Sequence, residues 1–175
     1  MSQLEKLETT LDDVLNKNAP VKLPENGRKT LAGALWWLAL IGGVAQMYFA
    51  WAFWRDWHRV DEALGTLNSL ARAYGVDTGS TDLGLFFYLS IAVLALSGAL
   101  LLLATPGLKA MKKAGWDLLF YGLLVNLVYG VVVVFTDYGT LGDLFGAALG
   151  SLIGAYLLFQ VRSQFMKSHV ASHKA

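Results

Sequence analysis

Apolar residues in this chain do not alternate with polar ones but gather in four uninterrupted runs, Leu31 to Phe53, Leu83 to Ala104, Leu118 to Phe135 and Leu144 to Val161. None of them contains a Lys, Arg, Asp, Glu or His. Each run is about 18 to 23 residues long, which at about 1.5 Å rise per residue matches a hydrocarbon layer of roughly 30 Å. Barrel strands would alternate apolar and polar positions, whereas these runs are apolar on every side. The pattern predicts an all-α fold: a four-span transmembrane helical bundle over residues 30–162, with spans at about 31–53, 83–104, 116–135 and 141–161. The first run lies behind a long polar segment and exceeds the apolar core of a usual signal peptide, so it is expected to be retained.

Two further segments carry helical periodicity of a different kind. In residues 1–20, Leu4, Leu7, Leu11 and Val14 repeat at steps of three and four, with Ser2 and Glu5 at capping-box spacing. This predicts a cytosolic amphipathic helix ending near Pro20, followed by a linker over 21–29. Glu5, Glu8, Asp12 and Asp13 make its other face acidic, so docking on an anionic leaflet is disfavoured and a protein partner or self-associating coil is expected. Between the first two runs, Val60, Leu64, Leu67, Ala71 and Tyr74 predict an amphipathic helix in the first outer loop, stopped by Gly75. A rod continuous with the first span would carry Tyr74 about 30 Å beyond Trp54. The return linker reaches about 27 Å at most. A bend near Trp54 to Arg59 is therefore expected, laying the helix on the bilayer surface or across the bundle mouth. Thr105-Pro106 reads as the end of the second span and the start of a new helix carrying Lys109, Lys112 and Lys113. Thr136 to Gly139 reads as a tight turn, with Thr140 and Asp143 capping the last helix.

Charge sets the expected orientation. Of the fourteen Lys and Arg residues, Lys6, Lys17, Lys22, Arg28 and Lys29 precede the first run. Lys109, Lys112 and Lys113 lie between the second and third, and Arg162, Lys167 and Lys174 follow the fourth. Only Arg55, Arg59 and Arg72 fall on the opposite side. Basic residues near span ends resist translocation, so an N-in, C-in, multi-pass cell-membrane protein with a cytosolic tail over 163–175 is predicted. Trp51, Trp54, Trp57, Phe86, Tyr88 and Tyr138 are expected in the outer interfacial belt, and Trp116 and Tyr156 in the inner one.

Candidate sites are sparse. Gly142, Gly146, Gly150 and Gly154 recur every fourth residue along the last run, and Gly122 and Gly130 flank Asn126 on the third. Small faces of this kind let helices approach closely in lipid, so they are read as packing surfaces, within the chain or between copies. Gln46, Asn126 and Ser151 are the polar residues expected to face the bundle interior, alongside Ser90 and Ser97, because an unsatisfied amide in hydrocarbon is costly. Asp117 and Arg162 are expected to pair across the third and fourth spans near one membrane surface. No span holds a titratable group for a proton relay, and no carboxylate pair, nucleophile with a placed base or phosphate loop is evident. His58 stands alone. His169 and His173 have metal-compatible spacing without further donors, so neither a metal nor another cofactor is expected. Zero cysteines exclude thiol redox chemistry, and a formal charge of +1 gives no reason to expect nucleic acid. The expected role is a non-catalytic assembly or scaffold subunit, with the lipid bilayer and either a second copy or another membrane protein as partners. A passive channel or small-solute transporter using Gln46, Asn126 and Ser151 is the alternative.

Overall fold

The computed structural model describes residues 3–19, 21–75, 83–134 and 141–172. Within its helices the side chains of 3–5, 58, 61, 64, 83–86, 134, 141–148 and 167–172 lie outside the description. Every described element is helical: α1 Gln3–Asp12, running on into a π-helical segment Asp13–Lys17, then α2 Glu25–Ala73, α3 Leu83–Lys109, α4 Lys113–Val134 and α5 Leu141–Ser172. Among the described residues, three helices are long and apolar enough to cross a membrane, Glu25–Trp57, Phe87–Lys109 and Lys113–Val133. The predicted fourth span is not among them. In its described half Gln160 interrupts the apolar run, and Arg162 and Gln164 continue the same helix beyond it. The predicted caps at Ser2 and Thr140 and the turn at 136–139 lie outside the described residues, as do the side chains of His58, His169 and His173.

Neighbours in sequence are neighbours in space. α2 packs along α3, α3 along α4 and α4 along α5, and α5 returns to touch α2 and the π-helical segment. Large apolar side chains on the outer faces remain exposed along the whole bundle, including Trp37, Ile41, Tyr48, Leu103, Val128 and Ile153. A water-facing surface would not tolerate so continuous an apolar covering, whereas lipid favours it.

Two expectations about continuity are corrected. α2 is one uninterrupted helix of 49 residues with no break at Trp54 to Arg59. The predicted bend assumed that α3 starts level with Trp54, but Trp57 stacks on Phe87 at 4.4 Å and the Lys109 ammonium lies 5.0 Å over Trp36. That register puts Leu83 level with about residue 61, so α2 overshoots by only about 18 Å, which the return linker can span. Around this overshoot Val60, Leu67 and Leu70 are exposed while Asn68 is half-buried, so no described residue buries these three side chains. α3 likewise runs straight through Thr105-Pro106 to Lys109. Pro106 lies in the last turn and cannot donate to the Leu102 carbonyl, so α3 loses one backbone bond there, while the Thr105 hydroxyl donates back to the Leu101 carbonyl at 3.0 Å.

Glycine governs the closest approaches. The α3 to α4 turn closes as a Schellman motif, with the Lys112 N–H on the Gly107 carbonyl (2.8 Å) and the Met111 N–H on that of Leu108 (3.0 Å). Met111 takes the left-handed position, φ +52°, that glycine usually fills. Gly115 then lies against Gly107 so tightly that a Cβ on it would sit 2.5 Å from the Gly107 carbonyl carbon. Farther along, α2 and α3 cross at Gly43 and Gly98, where a Cβ on Gly43 would meet the Gly98 carbonyl oxygen at 3.1 Å.

Candidate functional site

Lys109, Lys113, Arg28 and Arg162 mark one end of the bundle, here termed the basic end, and the tightest core gathers beside them. Trp116, Phe120, Phe159 and Phe165 are fully or almost fully buried there, with Ala104, Leu108 and Val161. Trp116 stacks on Phe120 (5.5 Å) and meets Phe159 edge-on (5.3 Å), while its indole N–H donates to the Leu158 carbonyl at 2.9 Å. Trp116 thus sits in the packed core of the basic end, its N–H on a protein acceptor rather than on water. Tyr156 is half-buried and donates its hydroxyl to the Val21 carbonyl.

The N-terminal helix caps this end. Arg162 does not pair with Asp117. Its Nε and Nη2 donate to Glu8 Oε1 (3.1 and 2.5 Å), its Nη1 lies 3.4 Å from Asp12 and its guanidinium stands 5.5 Å over Trp116. Asp117 instead takes Lys113, one turn earlier on its own helix, at 2.7 Å, and Lys113 also stands 4.0 Å from Glu8. The geometry explains the exchange: Glu8 and Asp12, one turn apart, present two carboxylates to one fork of donors. The amphipathic helix thus docks on its own chain, by a stripe that keeps Leu11 of the expected one but not Leu7 or Val14. Leu11 and Leu15 pack on the core and Asp12 is buried, whereas Leu7 and Val14 are exposed. On the exposed side Lys17 donates to Asp13 at 2.7 Å, and that bond, with the charge of Asp13, raises the Lys17 pKa.

Gln160 is the hub of the docking. Fully buried on α5, it donates through Nε2 to the Leu15 carbonyl (3.0 Å), and its Oε1 accepts from the Leu23 N–H (3.3 Å) and from Arg28 Nη2 (3.0 Å). One amide thereby joins the π-helical segment, the linker and the start of α2. Sequence reasoning passed over Gln160; its signal is a lone amide closing an otherwise apolar run two residues before Arg162.

Midway along the bundle lies a different environment. Gln46 from α2, Ser97 from α3, Asn126 from α4 and Ser151 from α5 share one cavity of about 300 Å³, walled otherwise by Leu101, Leu119, Leu123, Gly122 and Gly150. Asn126 donates through Nδ2 to the Ser97 hydroxyl (3.1 Å) and to the Gly122 carbonyl (2.8 Å). Gln46 Oε1 is buried with no hydrogen-bond partner. Asn126 also borders a second cavity of about 320 Å³ lined by Phe53, Phe87, Ser90 and Tyr129, where the Tyr129 and Ser90 hydroxyls lie 2.6 Å apart. The three polar residues singled out from the sequence are therefore brought together, although direct bonding of Gln46 across helices is not.

Of the glycine row, a Cβ on Gly154 would meet Leu123 at 3.6 Å, and one on Gly122 would meet Leu100 at 3.9 Å. Gly150 is exposed, and a Cβ there would meet nothing within 4 Å. Gly130 is half-buried on α4, one turn beyond Asn126. The surroundings of Gly142 and Gly146 lie outside the described residues. Among the described residues no three His, Cys, Asp or Glu side chains group closely enough to hold a metal ion. No family model, curated protein or solved structure matches the chain.

Proposed function

We propose that this chain is a non-catalytic, four-span membrane protein with both termini cytosolic, acting as an assembly subunit through the small-residue face of α5. Three apolar helices, the alignment of α5 along α4 and the gathering of basic residues at one end support the topology. The observation that carries the assembly role is Gly150. It occupies the middle of the glycine row at the edge of the polar cavity, where a Cβ would meet nothing within 4 Å, and Leu149, Leu152 and Ile153 beside it are exposed. A small residue in lipid gains from close backbone approach, and here that approach is left to a helix of another protein or a second copy. Gly150→Leu is expected to leave thermal stability in detergent near wild type while shifting native mass and cross-linking toward smaller species. Unchanged native mass would remove the basis for assembly through this face.

The polar cavity favours a second reading, a small-solute site or path. The packed aromatic cluster and the N-terminal cap close the basic end, so this conformation fits a site entered from the far end or from the lipid rather than an open pore.

A further inference from the structure

The polar cavity has the features of a ligand site rather than of a packing defect. A defect between apolar helices is lined by apolar atoms, whereas this one collects a polar side chain from each of the four long helices. At about 300 Å³ it has room for roughly ten water molecules, far more than the one or two that would settle a stray amide. Its lining holds no charged side chain. An ion entering it would lose hydration without a counter-charge, so the occupant is neutral.

The hydrogen-bonding groups narrow the chemistry further. Gln46 lines the cavity, and its Oε1 is a buried acceptor with no donor, which a turn of the terminal amide presents to an occupant. Asn126 has committed its amide hydrogens to Ser97 and Gly122, which leaves its carbonyl oxygen as the group with spare capacity. Two acceptors from opposite helices call for a molecule with at least two hydroxyl or amide donors, and Ser151 adds a hydroxyl that can give or take. Opposite these groups, Leu101, Leu119 and Leu123 offer a hydrocarbon wall. A short carbon chain bearing adjacent hydroxyls meets both demands.

We propose that the cavity binds a small uncharged polyol of the glycerol type, with Gln46 and Asn126 accepting from its hydroxyls and its carbon backbone lying on the leucine wall. The inference rests on the second of the two functional readings, and it shares Gly150, a wall of this cavity, with the assembly reading. The same head chemistry is available as free glycerol or as the glycerol end of a monoacylglycerol. An acyl chain would have a route, because the second cavity shares Asn126 with the first, and an apolar groove of about 340 Å³ continues from it past Val93 and Tyr129.

The test uses the full chain in detergent. Equilibrium dialysis against radiolabelled glycerol and native mass spectrometry with 1-monooleoylglycerol separate the two sources. Saturable binding of one equivalent is expected, with Gln46→Leu weakening it at least tenfold and the milder Ser151→Ala about threefold. Binding of glycerol alone assigns a free solute, and binding of the monoacylglycerol alone assigns a lipid. Failure of both probes to bind, or equal binding by wild type and both variants, overturns the proposal. So does a Gln46→Leu protein whose native mass changes, because the partner of Gln46 is then another protein chain. Assembly is read separately from the native mass of the unliganded wild type, so that reading can fail while polyol binding stands.

Discussion

Adding one methyl group to Gly115 tests whether the α3 to α4 turn depends on glycine-to-glycine contact. The new Cβ of Gly115→Ala would lie 2.5 Å from the Gly107 carbonyl carbon and 2.9 Å from its Cα. Non-bonded carbons rest about 3.5 to 4.0 Å apart, so the overlap is about 1 Å. Both atoms belong to the backbone of a capped helix end, and no change of rotamer can relieve them. α3 and α4 must separate where Leu108, Trp116 and Phe120 are buried. Overpacking of this kind costs about 1 to 3 kcal/mol, against about 0.5 to 1 kcal/mol returned by replacing a helical glycine with alanine. Opening the contacts around Trp116 adds to the cost, for a net loss of about 2 kcal/mol. Gly154→Ala is the control, because its Cβ would meet only Leu123 Cδ1 at an ordinary 3.6 Å. That substitution is expected to be neutral or to stabilise by up to about 1 kcal/mol. Reversible unfolding in mixed micelles with a denaturing detergent, followed by tryptophan fluorescence, measures both. A Gly115→Ala protein as stable as Gly154→Ala would show that the helices are not in backbone contact at this turn.

Gln160→Leu keeps volume but strands the Leu15 carbonyl, the Leu23 N–H and Arg28, so a loss of about 2 to 4 kcal/mol is expected; proteolysis at Lys17 and Lys22 should accelerate, and an unchanged cleavage rate would dissociate Gln160 from docking. Glu8→Gln and Arg162→Gln are each expected to destabilise, with a coupling of about 1 kcal/mol or more in a double-mutant cycle, above the range of exposed ion pairs; additive effects would place the pair in solvent. A reporter inserted between Lys109 and Lys113, or fused after Ala175, should report cytosol and one at Asp77 the opposite side; the same side at Asp77 and Ala175 would overturn the four-span topology.

What the sequence discloses is governed by how local the cause is. Uncharged apolar runs make long helices whatever surrounds them, so α2, α3 and α4 were legible, as was the meeting of Gln46, Asn126 and Ser151 around one cavity. The docking stripe of the N-terminal helix was not. Periodicity favours Leu7 and Val14, but the receptor is Arg162, which prefers Glu8 and Asp12, and one helix carries no record of what it will meet. Gly43, Gly98, Gly107 and Gly115 escaped for the same reason, since each is unremarkable until its partner lies opposite. The regular row from Gly142 to Gly154 drew attention by its period, yet among its described members Gly154 meets a neighbour and Gly150 does not.

The cap at the basic end joins the first helix made to the last. Glu8 and Arg162 are 154 positions apart, and Leu15 and Gln160 are 145 apart. The α2–α3 and α3–α4 pairs need only short connections and can form as each helix leaves the ribosome. The N-terminal helix has no such opportunity and must wait, with Glu8 and Asp12 unpaired, until α5 is inserted. Ring closure at this end therefore follows the synthesis of α5. A chain halted before Gln160 would leave Glu8 and Asp12 without Arg162 and the aromatic cluster without Phe165.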